Sequence, residues 1–286
     1  MKTRSYLEKL MGKYLIVNAD DFGICEEVNE TIIAAHRQGI VTSTSLMVSG
    51  EGVEEAVKLA KNNPSLGVGL HLVLCCGKSI LPPSQIPHLV DCSGNFPNNP
   101  TVAGLRYQFI AAAREELKLE IKAQLDRFIE TGLPLSHIDG HLHLHCHPVV
   151  INILVELAKE YPIRFIRLPL EELHYTLRLD SSNLGLKAIY ANIFTLLRKY
   201  NERQLAGSGI RWLERVYGLL QTGHMTESYL LGLLPQIKTT TNEIYFHPQR
   251  QDDREFAALC SQRVKDMLVS EGFTLVNYWQ LGERGD

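Results

Sequence analysis

Short apolar runs alternate with segments of helical periodicity along most of this chain, and that alternation is the strongest constraint on its fold. Seven runs have the length and the apolar or β-branched composition of buried strands. They are Tyr14–Asn18, Thr42–Val48, Gly67–Leu74, Leu135–His145, Ile163–Leu168, Glu243–Phe246 and Phe273–Asn277. Because helical segments separate nearly all of these runs, their order predicts a parallel α/β fold, either a barrel or a doubly wound sheet.

Helices are predicted where apolar residues recur at helical spacing between the strands. The clearest helical segments are Val53–Lys61, Gly104–Thr131, Pro148–Glu160 and Asp252–Glu271. Residues 75–103 contain five prolines, which predicts a long irregular loop. The length of 286 residues suits one barrel domain. We therefore expect an N-terminal extension at 1–13 and a single domain at 14–286, with a mostly helical insertion, lacking a clear strand, at about 170–240.

The composition excludes several classes of protein. Apolar residues make up 45% of the chain and charged residues 21%, which is ordinary for a globular protein. The net charge of −3 creates no field that would attract nucleic acid. No apolar run is long enough to cross a bilayer, and residues 1–13 lack the apolar core of a signal peptide. Six cysteines without framework spacing are typical of reduced thiols in the cytosol.

Histidines are concentrated in one segment, where five of the eleven lie within eleven residues. Alternate positions there carry His137, Asp139, His141, His143, His145 and His147. Alternate residues of a strand face the same side, so the pattern predicts one imidazole-rich face. Such a face suits metal binding, although hydrogen-bonded polar positions at a strand end would explain any single histidine. Not all five can be ligands, because a catalytic site usually takes about three protein groups.

Other predicted strands also deliver polar residues at or near their ends. Asp20 and Asp21 follow the first strand, His71 lies in the third, and His247 follows the sixth. Singly, each has an ordinary structural explanation, such as helix capping by the acids or burial of His71 in the core. Together they predict a catalytic site, because the carboxyl ends of parallel strands meet at one end of a barrel. This convergence favours a parallel (β/α) barrel, TIM-like and distorted, with about seven strands.

Four ordered blocks resemble the YdjC-like carbohydrate deacetylases, namely IVNADDFG, IVTSTSLMVSG, GLHLVL and HIDGHLH. The resemblance implies hydrolysis of the N-acetyl group of an amino sugar. It also implies that Asp21, His71 and His141 bind one divalent cation, usually Mg²⁺ in the family, and that Asp20 is the general base. By donor type, two histidines and one aspartate also suit Zn²⁺ or another transition metal.

The remaining site residues are assigned by the chemistry of that reaction. The leaving amine must be protonated, and His247 or His143 could donate the proton. We also expect Asp139, His143 and Arg167 to contact the substrate.

Within the family, the chain is most similar to members associated with hopanoid biosynthesis, through Leu72–Phe96, TGLPLSHID and HCHP. That similarity implies an N-acetylglucosaminyl hopanoid as substrate and a cytoplasmic enzyme at the inner face of the membrane. Gly140 and Leu142 stand where chitooligosaccharide-type members often have Ser and His, which argues against a chitin fragment. The compatible partners are an N-acetylated sugar or glycolipid, a membrane surface in peripheral contact and a second copy of the chain, but no nucleic acid.

Alternative functions remain open at this point. A metal-dependent phosphoester hydrolase would need a phosphate-binding loop or an arginine clamp, for which Arg164 and Arg167 are the nearby candidates. A binding protein without turnover would have no use for Asp20 beside Asp21. The amphipathic segment 184–200 predicts either a helix packed outside the barrel or one that lies over the site and meets an apolar aglycone or a membrane.

Overall fold

The computed structural model describes residues 12–284, and within them seven parallel strands form one sheet. The strands are β1 (Lys13–Phe22), β2 (Ser43–Leu46), β3 (Gly67–Leu72), β4 (Ile138–Gly140), β5 (Arg215–Tyr217), β6 (Thr241–Phe246) and β7 (Phe273–Leu275). Their order is β4-β3-β2-β1-β6-β5, and β7 pairs with the start of β1. The predicted parallel α/β fold is confirmed. Most of the predicted N-terminal extension, residues 1–11, lies outside the described residues.

Helices make most of the connections between these strands. They are α1 (Glu26–Gln38), α2 (Val53–Lys61), α3 (Pro100–Phe109), α4 (Ala111–Glu130), α5 (Pro148–Leu157), α6 (Leu173–Leu179), α7 (Leu184–Leu205), α8 (Glu227–Leu233), α9 (Arg254–Cys260), α10 (Gln262–Ser270) and α11 (Tyr278–Glu283). Among the described residues, no helix combines the length and apolar character needed to span a membrane.

The sheet curls without closing into a complete barrel. Between its two edge strands, β4 and β5, only isolated bridges complete the circle. These bridges join Ile138 to Ile166, Phe165 to Arg211 and Leu170 to Val216. The expectation of a distorted barrel with about seven strands is therefore confirmed for the number and parallel order of the strands but not for a closed barrel. The described residues form a curled parallel sheet and not the closed eight-stranded barrel of a TIM fold.

Two predicted strands are wrong, and one strand was missed. The segment Leu135–His145 is a strand only at Ile138–Gly140, after which His141–Cys146 forms a 3₁₀ turn. The predicted strand Ile163–Leu168 makes only isolated bridges. Strand β5 lies inside the insertion where no strand was predicted, and its three residues are too few to produce a periodic signal.

Two predicted helices are each broken in the middle. Gly104–Thr131 divides into α3 and α4 because Ile110 has extended backbone angles. Asp252–Glu271 divides at Ser261, whose extended backbone begins α10 and whose side chain accepts a hydrogen bond from the Val264 amide. A hydroxyl in this position competes with helix continuation by capping a new helix.

The two faces of β1 carry different chemistry. Leu15, Val17 and Ala19 belong to the large apolar core under the helices. On the alternate positions, Ile16 packs in a small apolar cluster with Tyr245 and Tyr278. Asn18 and Asp20 follow Ile16 at those positions and are also buried. The inner face of the curled sheet is thus apolar at the start of the strands and polar at their carboxyl ends, where the candidate site lies.

Candidate functional site

A local irregularity at the end of β1 brings both adjacent acids into the site. In a regular strand, Asp20 and Asp21 would face opposite sides of the sheet. Here the pairing of β1 with β2 shifts register between Ala19 and Phe22. Asp21 also has a φ of 66°, which is rare for a residue other than glycine. The bulge and the left-handed residue together turn Asp21 toward the carboxyl end of β3, on the side where Asp20 lies.

Asp21, His71 and His141 converge on one point. Asp21 Oδ1 lies 3.0 Å from His141 Nδ1 and 3.3 Å from His71 Nε2. One potential ligand atom from each of the three residues lies within 4.8 Å of the other two. The side chains come from the end of β1, the inner face of β3 and the first residue of the 3₁₀ turn. Two imidazoles and one carboxylate are a common donor set for a catalytic cation.

Hydrogen bonding orients His71 toward this point. Its Nδ1 lies 2.7 Å from Asp139 Oδ1, which leaves Nε2 directed at Asp21. Nε2 is buried and has no hydrogen-bond partner. Burial lowers the pKa of His71, but the charge and hydrogen bond of Asp139 raise it overall to about 10. A histidine held by a carboxylate through one nitrogen, with the other nitrogen free, is the usual arrangement of a metal ligand.

A buried arginine links the acids beneath this point. Arg167 binds Asp20 through two hydrogen bonds, NH1 to Oδ2 at 2.7 Å and NH2 to Oδ1 at 2.8 Å. It also contacts Asp139 Oδ2 at 2.8 Å and Glu243 Oε1 at 2.6 Å. Burial opposes its charge, but the three carboxylates hold the pKa of Arg167 well above its usual range. One guanidinium therefore offsets only part of the negative charge of Asp20, Asp21, Asp139 and Glu243, all of them buried.

Arg167 and Asp139 do not reach the pocket. Both are fully buried, and their polar atoms are directed at other side chains of the site. The structure places them behind the residues that form the pocket wall. Direct contact with a substrate, which we expected, does not fit this placement. Arg167 orients Asp20, and Asp139 orients His71.

The other histidines of the cluster contact different parts of the structure, and those after Gly140 do so because the chain turns there. His137 is buried and stacks on Tyr278 at 4.0 Å between ring centroids. His145 Nε2 lies 2.9 Å from the Arg167 carbonyl oxygen, and His147 caps α5. The prediction of one shared imidazole face is therefore wrong. Within the cluster, only His141 joins the three-residue group described above.

His143 lies beside the group but does not belong to it. Its Nε2 is 2.8 Å from the Tyr245 hydroxyl, and its buried Nδ1 has no partner. Burial, followed by the nearby His145 and Arg167, lowers the pKa of His143 well below its usual range. Leu142 and His143 both have positive φ angles, 50° and 57°. Two consecutive left-handed residues store strain that a functional turn commonly retains.

A pocket of about 590 Å³ opens above these residues. Its polar end is lined by Asp20, His71, His141, His143 and His247. Its opposite wall is apolar and is formed by Leu186, Tyr190, Ile193, Phe194 and Leu197 of α7. Residues of the insertion therefore line the pocket, while contact of this helix with an aglycone or a membrane stays a prediction. The proline-rich loop contributes only Pro100 and Thr101, and a separate cavity beneath it does not touch the polar end.

Several polar residues of the site were missed in the sequence. Asn18 donates to Asp20 and to Ser45, while Ser45 donates to Asp139 at 2.6 Å. Glu243 and Tyr245 support Arg167 from β6. The available signal was the occurrence of polar residues at alternate positions of otherwise apolar strands, as in Asn18 and Asp20 or Glu243 and Tyr245.

Comparison with known proteins identifies relatives of this chain. It is 50% identical to a carbohydrate deacetylase of Brevibacillus brevis, over 53% of this chain and 58% of that protein. A carbohydrate deacetylase of Thermoanaerobacter pseudethanolicus is 30% identical over 84% of this chain and 83% of that protein. The chain spans about three-fifths of the length of several of the curated relatives it matches, including the Brevibacillus protein.

A solved structure and a family model agree with these sequence matches. A crystal structure of an Enterococcus faecalis protein, named for cellobiose-phosphate cleavage, superposes with a TM-score of 0.73 at 26% identity. That comparison covers 94% of this chain and 99% of the other. A family model described as YdjC-like protein matches residues 14–270, which include every residue of the site. The chain belongs to the YdjC-like protein family.

Proposed function

We propose that this protein is a metal-dependent hydrolase that removes the N-acetyl group from an acetylated amino sugar. The observation that carries the proposal is the buried, unpartnered Nε2 of His71, directed at Asp21 beside His141. This nitrogen has only the Asp21 carboxylate as a neighbour, 3.3 Å away and without a hydrogen bond of good geometry, so a better partner would stabilise it. A divalent cation held by Asp21, His71 and His141 would be such a partner. The names of the relatives support deacetylation as the reaction.

The donor set and the local charge fit a cation. Two imidazoles and one carboxylate leave coordination positions open toward the pocket, as catalytic sites require. The buried carboxylates outnumber Arg167, and they also raise the pKa of His71, so they favour a positive charge at this point, either a proton on His71 or a cation that displaces it. Mg²⁺ follows from the family resemblance, while the two nitrogen donors favour Zn²⁺, Mn²⁺ or Co²⁺. When bound, such an ion polarises the amide carbonyl and lowers the pKa of a coordinated water.

Asp20 and His247 are suited to the two proton transfers. Both line the pocket, and Asp20 Oδ2 lies 3.8 Å from His247 Nε2. We propose that Asp20 Oδ2 accepts the proton of the attacking water and that His247 Nε2 donates a proton to the leaving amine. Arg167 and Asn18 hold the carboxylate of Asp20 in one orientation, so the transfer needs no side-chain rotation.

His143 is suited to binding the substrate. If the Tyr245 hydroxyl donates to Nε2, His143 is neutral and carries its proton on the unpartnered Nδ1. Its low pKa keeps it neutral at physiological pH. A neutral imidazole in the pocket wall can donate a hydrogen bond to a sugar hydroxyl or to the acetamide oxygen without adding charge.

The apolar wall supports a substrate with an apolar aglycone. Leu186, Tyr190 and Ile193 of α7 face the polar end across the pocket. Leu142 adds a further apolar side chain at a position where chitooligosaccharide-type members often have histidine. A free chitin fragment offers hydroxyls to this wall, whereas a lipid aglycone would bury it. This favours an N-acetylglucosaminyl lipid, such as the hopanoid glycolipid implied by the resemblance, over a chitooligosaccharide.

A phosphoester hydrolase has less support. Lys187 is the only Lys or Arg among the described residues that line the pocket, and its Nζ already bonds to Asp180 and Gln221. The guanidinium of Arg167 is occupied by three carboxylates. Neither is free to hold a phosphate.

An acetate-release assay tests the proposed function. The protein is stripped with a chelator, reloaded separately with Mg²⁺, Mn²⁺, Co²⁺ or Zn²⁺, and given N-acetylglucosamine, chitooligosaccharides, an N-acetylglucosaminyl lipid and a phosphosugar. We expect release only from the reloaded protein and fastest release from the lipid. Equal acetate release without metal would contradict the metal site, and release of phosphate from a phosphosugar in place of acetate would support the alternative.

A further inference from the structure

Apolar side chains are exposed outside the pocket as well as within it. On α7, Leu184, Ile189 and Leu196 are more than half exposed and do not line the pocket. On α3, Leu105 is 54% exposed and Phe109 75%. Both helices contact the 3₁₀ turn that carries His141, and both contribute residues to the pocket wall. We call Leu105, Phe109, Leu184, Ile189 and Leu196 the rim, because they lie exposed on the two helices that contribute to the pocket wall.

Basic residues predominate within the two segments that carry the rim, and the acids Glu115, Glu116, Asp180 and Glu202 flank these segments. Residues 100–114 and 181–201 contain no aspartate or glutamate, although the whole chain has 32 acidic residues and a net charge of −3. The basic residues within these two segments are Arg106, Arg114, Lys187, Arg198 and Lys199. Lys187 and Arg198 are buried and paired with acids, whereas Arg114 and Lys199 are exposed. Exposed apolar residues beside exposed basic ones complement an anionic lipid surface.

The apolar surface is continuous from the pocket to the rim. Leu186, Tyr190 and Ile193 line the pocket, and Ile189 and Leu196 are the i−4 and i+3 neighbours of Ile193 on α7. Apolar side chains therefore extend from the pocket wall to the exposed side of α7. A water-soluble ligand bound in the pocket would leave Ile189 and Leu196 exposed, whereas a bilayer would cover them.

We propose that the rim docks on the surface of an anionic lipid bilayer and holds the mouth of the pocket against it. The catalytic consequence rests on the proposed function, since a lipid-linked sugar would then enter the pocket directly from the bilayer. The docking itself does not depend on turnover. Its ionic part weakens as salt screens Arg114 and Lys199, and its apolar part does not.

Flotation with vesicles tests the docking. The full chain is mixed with vesicles of phosphatidylcholine alone or mixed with phosphatidylglycerol, at low and high salt. The test variant carries Ile189→Glu and Leu196→Glu, and the matched control carries Leu119→Glu and Val269→Glu, two exposed apolar helix positions outside the rim. Thermal unfolding of both variants verifies that they fold.

We expect the unmodified protein to bind the anionic vesicles, and the control variant to bind them equally well. In the rim variant, binding should fall by about tenfold or more, because each apolar side chain that enters lipid contributes on the order of a tenfold gain. Equal binding of both variants would overturn the proposal. So would concentration-dependent dimerisation that only the rim variant loses, without vesicle binding, since the rim would then be an interface between two copies. Vesicle binding by a protein that releases no acetate would retain the docking and overturn the proposed function.

Discussion

The two ends of the pocket are built in different ways. The polar end is made of side chains from the ends of strands and from one tight turn, and buried hydrogen-bonding partners such as Arg167 and Asp139 hold Asp20 and His71 in place. The apolar end is one face of α7, a helix in the insertion whose pocket-facing residues are largely exposed. Rigid strands hold reacting groups to within fractions of an ångström, whereas an inserted helix can vary without disturbing them. We infer that the polar end determines the reaction and the apolar end the substrate.

The largest effect is expected from the proposed metal ligands. His71→Ala or His141→Ala should abolish cation binding and acetate release together, because two remaining donors hold a divalent ion weakly. Metal content by elemental analysis and turnover are measured on the same samples. The matched control is His147→Asn, which removes another histidine of the cluster and preserves a helix cap. It should keep its metal. Full occupancy in His141→Ala would refute the assignment.

A smaller effect is expected from replacing Asp20, and it distinguishes proton transfer from metal binding. Asp20→Asn should retain the cation and lose about 10²–10⁴ in kcat, the usual contribution of a general base. The neutral amide also leaves Arg167 with less charge compensation, so thermal unfolding must verify the fold. Turnover at the normal rate would mean that His247 or another histidine accepts the proton.

At the apolar end, the expected change concerns selectivity. Tyr190→Ser with Ile193→Asn should raise KM for a substrate with an apolar aglycone by about tenfold or more, since each lost apolar contact is worth about 1–3 kcal/mol. For a short water-soluble sugar, KM should change little. Leu119→Asn is the control, an exposed apolar residue on α4 far from the pocket wall. A uniform loss of kcat on all substrates would contradict the inference that the polar end determines the reaction and the apolar end the substrate.

The smallest effect is expected from Glu171, which bonds to the turn that carries the pocket-lining residue Leu220. Glu171 accepts a hydrogen bond from the Leu220 amide, and burial raises its pKa from 4.5 to about 7. A raised carboxyl pKa favours the folded state below pH 4.5, and this contribution is lost as the pH rises to about 7. Glu171→Gln should therefore increase stability above neutral pH by on the order of 1 kcal/mol and have little effect in acid. Thermal unfolding across this pH range measures it, and a pH-independent change would contradict the raised pKa.

Sequence patterns predicted the strands better than the turns between them. The apolar runs of β1, β3 and β6 are long enough to show their type without tertiary information. The histidine segment has a period of two, which is typical of a strand, but the chain turns at His141. That turn depends on Leu142 and His143 in left-handed conformations, which residue preferences disfavour. Packing of the surrounding elements must overcome that preference, and packing is invisible in one sequence.

By itself, the sequence determined the parallel α/β fold and the delivery of Asp20, Asp21, His71 and His141 to one end of the sheet, because strand periodicity and parallel order are local properties of the chain. Only the tertiary structure decided how His141 reaches Asp21 through the turn after Gly140, that Arg167 lies behind the acids and that α7 lines the pocket. These outcomes depend on contacts between residues far apart in sequence, such as Arg167 with Asp20 and His143 with Tyr245. Buried charges and hydrogen-bonding groups must find partners wherever the fold brings them, and that requirement selected the final arrangement.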